Sequence, residues 1–217
     1  APAGASNVAR NLLRRLADSW LRLAWFTLLL ACCGAIIASE LSSEAARTPR
    51  RAMLRAVLGP TFPLARITAQ LSLFCGLVLY ATRLKKLWTF ARDTLPLSHL
   101  LPVDDLGLLH TLAGYGFAVC ALLHTVAHLH NFHLAGHLTA ATAACVFNRF
   151  CAPDVAPQAM TTAQWMFTTL PGVTGLLLVI LLALMVPFSA DYMRRASFAT
   201  FHAVHRLHFL IVPLLVL

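Results

Sequence analysis

His110 and His124 stand fourteen residues apart, in a stretch from Leu106 to Ala190 whose only formal charges are Arg149 and Asp154. Ionisable side chains in so apolar a run are rare and mark places where chemistry is done. On an α-helix, fourteen residues return the chain to within about 40° of the same face and advance it roughly 21 Å. The two imidazoles therefore look out from one side of a helix at two depths. A single small metal ion cannot bridge that distance, but two stacked cofactors can each take one histidine. Neutral imidazole is an axial ligand of haem iron, and a haem fits between the helices of a bundle.

Each iron held by two imidazoles needs a second histidine from another helix. The last apolar stretch supplies His202, His205 and His208. His205 lies at the depth expected for His110, and His202 and His208 flank it as rival ligands. A partner for His124 is expected 13–14 residues beyond His205, at position 218 or 219, past the last residue Leu217. A 13-residue step misses the same face of a straight helix by about 140°. A kink or bulge must correct it, and Pro213 lies in the interval. His124 and His128 have the spacing of a zinc pair, but no Glu follows His124 and no third ligand is evident. His130, His133 and His137 read as solvated loop histidines beyond the apolar run.

The elements that must carry these side chains follow from composition. Of 217 residues, 59% are apolar and 12% charged; soluble domains run nearer 45–50% and about 25%. That balance excludes disorder, a coiled coil and an ordinary soluble enzyme, and points to an integral membrane protein. Five apolar runs qualify as spans: about Leu23–Ser39, Ile67–Thr82, Leu106–Leu129, Trp165–Ala190, and from Phe198 onward. The net charge of +9 comes from clusters between these runs, so it marks membrane flanks rather than nucleic-acid binding.

With the N-terminus inside, the inner side holds Arg10, Arg14, Arg15, Arg22, Arg83, Lys85, Lys86, Arg92, Arg194 and Arg195. The outer side holds Arg47, Arg50, Arg51, Arg55 and Arg149. The excess favours a cytosolic N-terminus. Residues 1–22 read as a cytosolic amphipathic segment, with Leu12, Leu13, Leu16 and Trp20 beside basic residues, and 23–217 as the membrane domain. The loop from Arg47 to Arg55 reads as lying along the membrane surface. Cys145 and Cys151 share one polar loop and pair if that loop faces an oxidising compartment. The apolar ending reads as a chain cut within or at the end of a helix, because a carboxylate there would sit in or near hydrocarbon.

Several motifs together resemble one family. His110-Thr-Leu-Ala…Leu-Leu-His124-Thr-Val-Ala-His128-Leu-His-Asn131 is similar to the third transmembrane helix of NADPH oxidases and dual oxidases, and Leu100-Leu-Pro-Val-Asp-Asp105 to the segment before it. Leu170-Pro-Gly-Val-Thr-Gly175 resembles the start of their fourth helix. Arg194-Arg-Ala-Ser-Phe198…Phe201-His-Ala-Val-His205 resembles the basic loop and start of the fifth. The likeness runs from about Ala65 to Leu217. The chain departs from it at Arg206, where family members often carry a second histidine.

The resemblance implies an all-α, multi-pass transmembrane helical bundle of the ferric reductase-like type, with five of six helices present and two b-type haems. It implies that His110 and His205 ligate the inner haem and His124 the outer one. Arg66 and His128 match residues beside the outer haem that would bind oxygen or stabilise nascent superoxide. It implies FAD and NADPH bound in a cytosolic dehydrogenase domain in cis, absent from this chain, which shows no glycine-rich dinucleotide fingerprint. Electrons would pass to molecular oxygen, giving superoxide or hydrogen peroxide, from a plasma-membrane protein with an accessory subunit or a second copy as partner. Three alternatives stand beside this reading. One is a ferric-chelate or other metal reductase on the same scaffold. Another is a transporter or proton channel that uses the histidines without haem. The third is an inactive haem-binding subunit whose partner supplies catalysis.

Overall fold

The computed structural model describes residues 3–45, 48–96, 100–139, 142 and 160–216. Among them there are helices and turns and no strand. Five helical stretches are long and apolar enough to cross a membrane: Trp20–Ser43, Thr61–Ala81, Val103–Gly136, Leu170–Phe188 and Phe198–Leu215. Large apolar side chains stand outward on them, with Leu77 67% and Leu122 64% exposed. Such side chains suit lipid, where burial against protein brings no hydrophobic gain.

Helix α1 (Ala3–Ala45) is continuous, so the N-terminal segment and the first span form one rod. No proline interrupts it, and Gly34 lies in open space. Helix α2 (Pro49–Leu58) starts on a proline and stops at Gly59, which takes φ +66°. That left-handed backbone suits glycine and ends the helix. From Pro49 the basic loop is thus helical, and Arg51 donates to the Ser43 carbonyl and hydroxyl at 3.1 and 2.7 Å. Helix α3 (Thr61–Ala81) follows, then α4 (Lys85–Thr94), where exposed Leu87 and Phe90 stand beside Lys85, Lys86 and Arg92. A 3-10 turn (Val103–Asp105) leads into α5 (Leu106–Gly136).

Trp165 is not the start of a span. The apolar run there is two helices, α6 (Thr162–Thr168) and α7 (Leu170–Phe188). Pro171 has no N–H to continue the first ladder, and the Thr169 hydroxyl accepts from the Gly172 amide at 3.2 Å to begin the second. A Cβ on Gly172 would collide with the Trp165 and Met166 carbonyl oxygens. Gly172→Ala is expected to cost about 1–3 kcal/mol, the range for overpacking against atoms that cannot move aside. Thermal unfolding in detergent checks it, and an unchanged midpoint would contradict this packing.

The remaining elements are α8 (Asp191–Ala196), α9 (Phe198–His205) and α10 (His208–Val216). The fifth span is therefore broken. The break falls at Arg206–Leu207 rather than at Pro213, which sits inside α10. Here the Leu207, Phe209 and Leu210 amides bond to carbonyls three residues back, at 3.0, 3.1 and 2.9 Å. This tighter winding draws Phe209 away from the His205 carbonyl, which takes the His208 Nδ1–H instead, at 2.5 Å.

The chain divides into two compact units, Ala1–Ser42 with Gln70–Phe117, and Ser43–Ala69 with Ala118–Leu217. In the first, Arg22 pairs with Asp105 at 2.9 Å and the Trp25 indole donates to the Leu100 carbonyl, tying α1 to the entry of α5. The Trp88 indole donates to Ala81 at 2.7 Å and satisfies an end carbonyl of α3. Small residues bring α3 and α5 close, since a Cβ on Gly116 would lie 3.1 Å from the Cys75 sulfur. In the second unit, α7 packs against α6, α9 and α10.

Candidate functional site

The two histidines of α5 each present Nδ1 to a carbonyl of α3. His124 Nδ1 lies 2.8 Å from the Ala65 carbonyl oxygen. His110 Nδ1 lies 3.0 Å from Thr82 Oγ and 3.2 Å from the Leu79 carbonyl oxygen. Ala65 and Leu79 are fourteen residues apart, as are the histidines and as are Thr68 and Thr82. A seven-residue pattern underlies this along α3 and the residue that follows it: Thr61, Thr68, Cys75 and Thr82. Its first member extends the series in the second unit, where the Thr61 hydroxyl donates to the Asn131 side-chain oxygen at 2.6 Å.

These contacts fix the tautomer. A carbonyl oxygen only accepts, so the proton of each imidazole is on Nδ1 and its lone pair on Nε2. His205 reaches the same state by another route. Its Nδ1 lies 3.1 Å from Ser189 Oγ, whose own hydrogen goes to the Met185 carbonyl at 2.8 Å. The serine oxygen must then accept, which again puts the lone pair on Nε2. Metal-bound histidines characteristically donate their other ring N–H to such an acceptor, which sets orientation and raises basicity. The three residues thus fit axial ligation of haem iron. His110 belongs to the first unit, and His124 and His205 to the second.

The rivals differ in kind. His202 is exposed and stacks on Phe198, with ring centroids 6.1 Å apart and 17° between planes. His208 serves the break after His205. The His128 ring meets His124 edge-on at 4.5 Å, with Phe132 next to it at 5.7 Å. Arg66 is half-buried and comes directly after Ala65. Among the described residues no three His, Cys, Asp or Glu side chains gather as a metal site, so His124 and His128 have no third zinc ligand there. His130 and His133 are exposed but helical, because α5 meets no breaker before Gly136. Cys145 and Cys151 lie outside the described residues. Sequence reasoning missed Thr68, Thr82 and Ser189; the fourteen-residue match of the threonines to the histidines was the signal for the first two.

Comparison with known proteins supports the reading of these elements. Residues 68–216 match the family described as ferric reductase like transmembrane component. The chain is similar to dual oxidase 2 of Sus scrofa, 33% identical over 154 residues. It is also similar to dual oxidase 1 of Homo sapiens, 31% identical over the same length, and to dual oxidase 1 of Caenorhabditis elegans, 27% over 156 residues. Each alignment takes in 71% of this chain and 10% of the relative, so the chain spans about a tenth of these proteins. The matched region contains α5, its two carbonyl-held histidines and His205, and the chain belongs to the ferric reductase like transmembrane component family.

Proposed function

We propose that this chain is the electron-conducting membrane part of an NADPH oxidase, holding two b-type haems at different depths. The observation that carries the reading is the matched holding of His110 and His124 by α3, which presents two Nε2 ligands fourteen residues apart. His110 and His205 hold the inner haem from α5 and α9, and His124 holds the outer one. When bound, the haems supply one-electron relays between a cytosolic flavin and oxygen. NADPH and FAD belong to a dehydrogenase domain in cis, and the N-terminus faces the cytosol. The likeness to proteins named dual oxidases supports oxygen as acceptor and superoxide or hydrogen peroxide as product.

Arg66 follows Ala65, whose carbonyl holds His124, and the His128 ring lies 4.5 Å from that of His124. A guanidinium beside the place where oxygen gains charge stabilises the developing anion. A ferric chelate as acceptor is the second reading, favoured by the description of the matching family. Arg66→Gln separates the two. It is expected to slow superoxide release about a hundredfold, the lower end of what a lost charge-stabilising donor costs, with anaerobic reduction of the protein by NADPH unchanged. The assay is full-length protein in liposomes, given NADPH at its cytosolic face, with superoxide trapped at the other. Iron-chelate reduction without superoxide, indifferent to Arg66, would replace oxygen as the acceptor.

A further inference from the structure

The two histidine cradles look alike but differ in which atom takes the proton-bearing nitrogen. At His124 the acceptor is a backbone carbonyl, Ala65 O, at 2.8 Å, while Thr68 Oγ stands off at 3.5 Å. The latter is beyond the usual reach of an N–H···O bond. At His110 the order reverses: Thr82 Oγ is nearer at 3.0 Å, and Leu79 O is next at 3.2 Å. The Thr82 hydroxyl also donates to that Leu79 carbonyl at 2.8 Å. Thr82 therefore acts twice, as the nearer acceptor of the His110 proton and as a donor that weakens the competing carbonyl. Its side chain is buried, at 7% exposure, so water does not substitute for the hydroxyl.

We propose that Thr82 is a positioning residue that sets the ligand strength of His110, and so holds the inner haem at a higher potential than a carbonyl-held histidine would. The inference rests on His110 being a haem ligand. A strong Nδ1–H···O=C bond pushes electron density toward Nε2 and favours ferric iron. A shared bond to a hydroxyl pushes less. Hydrogen-bond partners of a ligating imidazole tune its basicity and the metal's potential without touching the metal. The consequence is an inner haem that takes an electron more readily from the cytosolic side. Thr68, in the matching place, gives its hydroxyl first to the Leu64 carbonyl at 2.8 Å and only at 3.1 Å to Ala65 O, so the short Ala65 bond remains the main acceptor of the His124 proton.

The test is spectroelectrochemical titration of both haems in full-length, haem-loaded protein, for Thr82→Val, Thr82→Ser and Thr68→Val. In Thr82→Val the His110 proton passes to Leu79 O alone. One haem wave is expected to move to lower potential by about tenfold in its one-electron equilibrium, which is about 59 mV. Thr82→Ser is expected to restore it, and Thr68→Val to move the other wave less than about threefold. Thr82→Ala removes the same hydroxyl and gives the measurement if the valine variant does not accumulate. Two unmoved waves in a haem-loaded Thr82→Val or Thr82→Ala protein overturn the role of Thr82 and leave the two-haem reading standing. Equal shifts from Thr68 and Thr82 also overturn it. Unmodified protein without haem would remove the reading on which it rests.

Discussion

Replacing His124 with leucine is expected to leave full-length protein with one haem where two are proposed for the unmodified chain, and to end oxygen reduction. Leucine keeps the apolar volume but removes Nε2. It also leaves the Ala65 carbonyl without the imidazole proton that it accepts at 2.8 Å. That carbonyl keeps the Thr68 hydroxyl at 3.1 Å, so the change loses one hydrogen bond, worth about 0.5–1.5 kcal/mol, and α5 should pack less well locally while the remaining spans persist. The chemical loss is larger than this structural one, because no other described residue on α5 repeats the arrangement at that depth. His128 is four residues on, and its ring stands edge-on to His124. Pyridine-haemochrome content per chain checks the outcome. Unchanged content, with an unchanged spectrum, would mean that His124 holds no haem.

The second large effect is expected at the other haem. His110→Leu and His205→Leu should each remove the same haem, so the double variant should lose no more than either single one. Residues that act as one unit fail to add in this way, whereas independent sites add. The two imidazoles are set by unrelated acceptors, Thr82 with Leu79 on one side and Ser189 on the other. Matched losses would therefore report a shared iron rather than a shared packing defect. NADPH-driven reduction of the remaining haem should fall to background in all three proteins. If the two single losses instead sum in the double variant, His110 and His205 serve different haems. His202→Leu is the comparison, expected to keep both haems because that ring is exposed and stacked on Phe198.

How much of this was legible in the sequence differs by feature. The five spans were, because an apolar run between charges has one structural meaning in lipid. The helix that carries both His110 and His124 was, because both lie in one apolar run of spanning length. The start of the fourth span was not. Trp165 and Phe167 are as apolar as the residues of α7, and only the loss of an amide at Pro171 and the close approach at Gly172 divide α6 from α7. The fifth span bends where carbonyls take amides three residues on. Hydropathy does not carry that information, and Pro213 drew attention to the wrong turn. The holding groups were hidden for another reason. Two of the acceptors are main-chain oxygens of Ala65 and Leu79, and a backbone atom leaves no mark in residue type. Thr68 and Thr82 did leave one, a spacing that mirrors the histidines on the facing helix.

The central claim is that this chain holds two b-type haems on histidines of α5 and its neighbours. The ratio of haem to protein in purified full-length material tests it most directly, read by pyridine haemochrome with electron paramagnetic resonance of the oxidised sample. Two haems per chain, both low-spin with two imidazole ligands, is the expected result. A chain that folds and purifies without haem, or with a single one that survives His124→Leu, would contradict the account.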